Sequence, residues 1–127
     1  SFSGLKTSIL YFIRDRVKQD ANFVADNLAD ICASVQRRIV TILLAKLKMA
    51  AVQYGITNIA IAGGVSANSG LRKALEELAH ENGWNVFIPK FEYCTDNAAM
   101  IAITAYYKFL KHDFVGQDVV PAPRMPW

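Results

Sequence analysis

The sequence is poor in the residues that would place it in several protein classes. It has only two cysteines, Cys32 and Cys94, in 127 residues. That is too few for a disulfide framework or a cysteine-built zinc site, so a reducing, cytoplasmic setting is the default expectation. Its two histidines, His80 and His112, stand in no His-x-x-x-His or His-Glu-x-x-His pattern, which removes the helical zinc site of metalloproteases. Long hydrophobic runs are lacking. The most apolar stretches, residues 39–45 and 98–107, fall far short of the roughly 20 residues that span a bilayer, so no membrane association is expected. The opening Ser-Phe-Ser-Gly-Leu-Lys is not a basic-then-apolar leader, and no signal peptide is expected. There is no internal repeat or low-complexity segment, and no run of basic residues exceeds two, which excludes a nucleic-acid-binding tail.

What is present is apolar residues, 53% of the chain, with 20% charged and a formal net charge of +3. Global disorder is excluded by that balance, and the length suits one domain able to bury about two-thirds of its unfolded surface. The positive charge is uneven. Residues 1–54 carry eight basic side chains (Lys6, Arg14, Arg16, Lys18, Arg37, Arg38, Lys46 and Lys48) against four acidic ones, whereas residues 55–127 carry six and seven. A basic face can attract nucleic acid; a solvated helix surface is the plainer reading.

Hydrophobic spacing divides the chain. Leu5, Ile9, Phe12, Ile13 and Val17 predict a helix capped by Ser3 or Thr7 and running to about residue 18. Val24, Leu28, Ile31, Val35, Ile39 and Ile42 predict a second, long helix that begins after Asp20 or Asn22, lies deep in a core near residues 39–44, and stops at Gly55. The period then switches. Residues 58–62 and 85–88 read as short buried strands, separated by a helix over 69–82 that Gly83 closes. A last helix is predicted over 95–111 with Met100, Ile101, Ala105 and Phe109 among its apolar positions, and a tail with Pro121, Pro123 and Pro126 follows.

Strand, helix, strand within about 30 residues is a βαβ unit with parallel strands. In open α/β sheets ligands bind at the carboxyl ends of the strands. Here those ends lead into Gly63-Gly64-Val65-Ser66-Ala67-Asn68 and Lys90-Phe91-Glu92-Tyr93-Cys94-Thr95-Asp96-Asn97, the two most unusual strings in the sequence. Gly63 and Gly64 let a ligand lie against the main chain, while Ser66, Asn68 and Ser69 can cap the next helix or bond a ligand. An ordinary strand-to-helix turn would explain the same residues. Asp96 can complement a helix dipole or ligate a metal, though one carboxylate does not hold a metal alone. Cys94 reads as a small buried side chain before a ligand or nucleophile, Cys32 as core, and both histidines as surface residues.

Four strings carry a resemblance: Ser1-Phe-Ser-Gly-Leu-Lys-Thr7, Ile61-Ala-Gly-Gly-Val-Ser-Ala-Asn68, Cys94-Thr-Asp-Asn-Ala-Ala-Met-Ile101 and Pro123-Arg-Met-Pro-Trp127. In their order and spacing the whole chain resembles the C-terminal part of the TsaD family, the tRNA N6-adenosine threonylcarbamoyltransferases, once described as O-sialoglycoprotein endopeptidases. The resemblance implies an α/β fold: a helix-rich fragment of the actin-like and sugar-kinase (ASKHA) ATPase fold containing the βαβ unit. Residues 1–127 would be a single partial domain, the C-terminal lobe, with 112–127 an extended proline-containing tail. It implies transfer of threonylcarbamoyl from threonylcarbamoyl-AMP to N6 of the adenosine beside the tRNA anticodon. Asp96 matches the family's carboxylate ligand to a divalent metal, iron more than zinc. Asn68 matches a substrate-binding asparagine, with Gly63 and Gly64 against the nucleotide. The implied partners are tRNA and other subunits of the threonylcarbamoyladenosine synthesis complex.

Departures from the family pattern matter equally. Its members supply two histidines on one helix and a glycine-rich phosphate-binding segment from earlier in the chain, and this sequence has neither. The expectation is a fragment with less than half of an active site, inactive alone and open to self-association through its sheet edges. A non-catalytic nucleotide-binding or dimerisation module of the same superfold is the alternative, and a kinase of that superfold is the closest structural competitor. A metalloprotease is disfavoured by the missing histidine motif.

Overall fold

The computed structural model describes residues 2–120. Five helices and two strands are present there: α1 (Phe2–Gln19), α2 (Phe23–Asp26), α3 (Leu28–Tyr54), β1 (Asn58–Ala60), α4 (Ser69–Asn82), β2 (Asn85–Phe87) and α5 (Ala98–Leu110). Single 3-10 turns, Gly64–Ala67 and Phe91–Tyr93, follow the two strands. Pro121, Pro123 and Pro126 of the expected tail lie outside the described residues, as does Ser1. Residues 113–120 form neither helix nor strand.

The helix starts differ from expectation for local reasons. Ser3 and Thr7 do not cap α1, which already begins at Phe2; Thr7 Oγ1 instead donates back to the Ser3 carbonyl at 3.2 Å. The long second helix is broken at Asn27, whose backbone leaves the helical region (φ −119°, ψ 16°) while its side-chain Nδ2 donates to the Phe23 carbonyl at 2.9 Å. Asparagine offers the chain a local alternative to the helix ladder, and here that alternative wins. The helix ends follow the glycines. Gly55 and Gly83 take left-handed conformations (φ 64° and 66°), and the following N–H groups of Ile56 and Trp84 donate to Ala51 and Ala79, each at 2.9 Å. These are six-residue Schellman closures.

Strands β1 and β2 pair in parallel, with Asn58 opposite Asn85, Ile59 opposite Val86 and Ala60 opposite Phe87. β2 stops where Pro89 removes a donor and constrains Ile88. The pairing ends with the Ile61 N–H donating to the Phe87 carbonyl at 3.2 Å, so β1 is also shorter than its apolar run. α4 crosses between the strands and buries Leu71, Leu75 and Ala79. Leu75, Ile59 and Ala51 form the core, with Leu44, Leu47, Ile61, Trp84 and Val86 packed around them.

That core is small, and two expectations of burial are corrected by it. Residues 39–44 of α3 are at most half-buried, and Cys32, expected in the core, is exposed. All of α5 is exposed, Ile101 to 74%, because no described element packs substantially against it. The sheet is covered on one face only: Ile59 is buried, while Phe87 on the opposite face is 59% exposed. The chain exposes 10633 Å², where a compact protein of this mass would expose on the order of 6,700 Å². All eight basic residues of the N-terminal half are exposed, which both readings of them require. Arg14 stacks over Tyr11 and Arg16 over Phe12, and Asp15 lies within 3.5 Å of both Arg14 and Lys18.

Leu75 is fully buried at the centre of this core, so Leu75→Ala removes packing that nothing nearby can replace. The expected loss is about 2–5 kcal/mol, read as a lower midpoint in urea unfolding. A loss below about 1 kcal/mol would mean that α4 does not organise the core.

Candidate functional site

The shared carboxyl edge of β1 and β2 leads directly into the two strings singled out in the sequence. The first turn begins at Gly63, whose backbone (φ 80°, ψ 175°) lies in a region open to glycine almost alone. Gly64 follows without positive φ, and a Cβ placed there would meet nothing within 4 Å. The main chain at Gly64 is therefore bare and faces open space. Ser66, weighed as a cap or ligand, does neither: it is 2% exposed and its Oγ donates to the Gly63 carbonyl, 2.6 Å away. That bond and the Ser66 N–H to the same carbonyl, at 2.9 Å, close the turn.

Asn68 caps α4. Its Oδ1 accepts from the Leu71 N–H at 2.9 Å, which is how an N-cap satisfies an otherwise orphaned donor. Its amide NH2 has no acceptor among the described residues. The N–H groups of Ser69 and Gly70, at the start of the same helix, likewise have none among them. Free amide donors at a helix N-terminus suit an anion.

The second turn carries Cys94, Asp96 and Asn97. Cys94 is buried, 2% exposed, as expected. Asn97 caps α5, its Oδ1 accepting from the Met100 N–H at 3.2 Å while its Nδ2 donates to the Thr95 carbonyl at 2.8 Å. This cap explains why α5 starts at Ala98 rather than at Thr95. Asp96 is exposed and has no hydrogen-bond or ion-pair partner among the described residues.

Sequence reasoning missed the residue that joins the two turns, Arg72 on α4. Its Nε donates to the Ser66 carbonyl at 2.6 Å, and its Nη2 donates to the Pro89 carbonyl at 2.9 Å and to Cys94 Sγ at 3.0 Å. Cys94 Sγ in turn faces the Lys90 carbonyl at 3.5 Å. One half-buried guanidinium therefore holds the glycine turn, the end of β2 and the turn that bears Asp96. A cation near a helix N-terminus sits against the dipole. That misfit was the one signal in the sequence that Arg72 is held by something other than its own helix.

Among the described residues no group of three or more His, Cys, Asp or Glu side chains is placed to hold a metal. Asp96 offers one carboxylate, and the Cys94 thiol is taken up by Arg72 and Lys90. His112 follows α5 with φ 55° and lies edge-on to Phe114, 6.2 Å away. Divalent ions need several oxygen or nitrogen donors. The residues present therefore fit one ligand position and not a metal site, and no chemical step is assigned to a metal. Behind the first turn, an apolar cavity of about 320 Å³ runs from Ala62, Val65 and Ser66 to Leu43, Leu44 and Leu47 of α3. Its walls offer a nucleotide little to bond.

A model of the TsaD family, described as tRNA N6-adenosine threonylcarbamoyltransferase, matches residues 1–103. The chain is 54% identical over 125 residues to a tRNA N6-adenosine threonylcarbamoyltransferase of Cytophaga hutchinsonii, covering 98% of this chain and 36% of that protein. A protein of the same name from Christiangramia forsetii is 56% identical over 124 residues, with 98% and 36% covered. Another from Kosmotoga olearia is 45% identical over 123 residues, with 97% and 35% covered. The chain thus spans about a third of the length of the curated relatives it matches.

The two glycines separate by experiment. Gly63→Ala forces a side chain into a glycine-only conformation and is expected to cost about 1–3 kcal/mol. Gly64→Ala meets open space and is expected to stay within about 0.5 kcal/mol of the parent. Thermal melts of both variants check this, and equal losses at the two positions would contradict the turn geometry.

Proposed function

The chain belongs to the TsaD family of tRNA N6-adenosine threonylcarbamoyltransferases, and on that premise we propose that it forms the C-terminal lobe of such an enzyme, within an ASKHA-type fold. The longer protein transfers threonylcarbamoyl from threonylcarbamoyl-AMP to N6 of the adenosine beside the tRNA anticodon. The N6 amine forms the new bond to the carbamoyl carbon, the bond from that carbon to the AMP oxygen breaks, and the amine loses one proton. These residues bind and orient the adenylate. The bare main chain at Gly63 and Gly64 lets the nucleotide approach, the free N–H groups of Ser69 and Gly70 suit its phosphate, and the Asn68 NH2 can donate to it.

Asp96 would supply one oxygen ligand to a divalent metal, iron in preference to zinc. The remaining ligands would come from outside these 127 residues. The partners of the whole protein are tRNA and the other subunits of the threonylcarbamoyladenosine synthesis complex, and its setting is the cytoplasm. Among the described residues no helix is long and apolar enough to cross a membrane.

The observation that carries this reading is that Asp96, exposed and without a partner among the described residues, stands on a turn tied to the glycine turn through Arg72. A non-catalytic module of the same superfold would need that carboxylate for nothing beyond complementing the α5 dipole. In the full-length protein, Asp96→Ala is expected to lower threonylcarbamoyl transfer by roughly 100-fold or more, with the thermal midpoint unchanged within about 2 °C. Transfer assays and melts on the same preparation test it, and near-normal transfer by the variant would sink the reading. The 127-residue chain alone is expected to show no turnover in that assay.

The open sheet face, the free strand edges and exposed α5 also support self-association of the chain in isolation. Light scattering is expected to show species larger than a monomer that grow with concentration. A monodisperse monomer at high concentration would refute this.

A further inference from the structure

We propose that Arg72 is a positioning residue that fixes the spacing between the glycine turn and the Asp96 turn, so that both meet one adenylate together. The inference rests on the functional reading above and adds to it a residue that contacts neither ligand.

The bonding pattern is what singles out Arg72. A surface arginine would point its head to water. Arg72 does not: it is half-buried, and its partners are two main-chain carbonyls and a thiol, 6, 17 and 22 residues away in sequence. The planar guanidinium fork meets the three acceptors in fixed directions, which a lysine cannot reproduce.

The chain of bonds is continuous. Ser66 Oγ and N–H close onto the Gly63 carbonyl, the Ser66 carbonyl accepts from Arg72, and Arg72 reaches Cys94, two residues before Asp96. Ser66 and Cys94 are among the most buried residues of the molecule. Among the described residues no other side-chain hydrogen bond runs between the two turns, so the guanidinium is the direct polar link at the ligand-facing edge.

The test uses the full-length protein with Arg72→Lys, Cys94→Val and Cys94→Ser. Arg72→Lys is expected to raise the KM for threonylcarbamoyl-AMP by about 10–100-fold, because a misplacement near 1 Å costs on that order, and to leave the KM for tRNA unchanged. Cys94→Val removes only the sulfur link and is expected to raise the adenylate KM severalfold. Cys94→Ser keeps an acceptor and a donor and is expected to restore it.

A purely structural role would reduce the amount of active enzyme and therefore kcat alone. An unchanged adenylate KM in both Arg72→Lys and Cys94→Val would overturn the proposal, and if Arg72→Lys does not fold, Cys94→Val decides it. Peptide-resolved alkylation gives a readout independent of activity: Cys94 is expected to react at least about 10-fold faster in Arg72→Lys, while exposed Cys32 reacts equally in both proteins. Should the wild-type protein transfer nothing, the functional reading fails. The alkylation rate then still decides whether Arg72 latches the turns, and equal rates would overturn that too.

Discussion

Two parallel strands cannot be joined by a tight turn. The chain must leave the sheet, cross it and return, and this constraint organises everything else in the molecule. α4 is that crossing, and fully buried Leu75 packs with Ile59 on the covered face of the sheet. The register follows. Ile59 stands opposite Val86, and both face the core, whereas a slip of one residue would turn them outward and bring asparagine in. Because the strands run the same way and end together, at Ala60 and Phe87, both succeeding turns must start from one edge. The site is a consequence of strand direction before any functional side chain is considered.

Strand direction alone brings two turns to an edge without fixing their distance. Flexible turns that bear glycines on one side and a carboxylate on the other would not hold a single ligand well. Arg72 supplies that definition by turning its charge inward onto main-chain carbonyls, bonds that are stronger than neutral ones. Among the described residues no buried side-chain nitrogen or oxygen lacks a partner. The buried side chains at the edge are therefore fully bonded, inside a chain whose other faces are thinly covered. Among the described residues α5, by contrast, has no element packed substantially against it.

Much of this was legible because the determining residues act locally. The bounds of α4, residues 69–82, and the two glycine stops follow from a cap, a 3.6-residue stripe and positive φ, all features of neighbouring residues. The strands were placed correctly but read as too long, since the proline that shortens β2 also shortens β1 through pairing, an effect at a distance. Asn27 and Asn97 escaped for a different reason: an asparagine can break, cap or decorate a helix, and only the surrounding backbone decides which. Cys32 and residues 39–44 were read as buried from hydrophobicity, which reports what a surface needs and not what covers it. Arg72 escaped because its partners are as far as 22 residues away: its place against the helix dipole hints that something holds it, but no local pattern encodes a side chain's remote acceptors.

The same hydrogen-bond accounting bears on function. Ser66, Arg72, Cys94 and Asn97 all complete bonds inside the molecule. What stays unused at the edge, among the described residues, is a set of N–H donors on one turn and a carboxylate on the other. Donors beside open glycine backbone complement a phosphate, while a lone carboxylate repels one unless a cation stands between them. An anionic ligand could therefore engage both turns only with a cation that these residues do not hold by themselves. The open sheet face makes the same demand in apolar terms, because a parallel sheet is ordinarily covered on both sides. Polar and apolar requirements thus converge: each calls for more groups than these residues supply, in a chain that spans about a third of the length of its curated relatives.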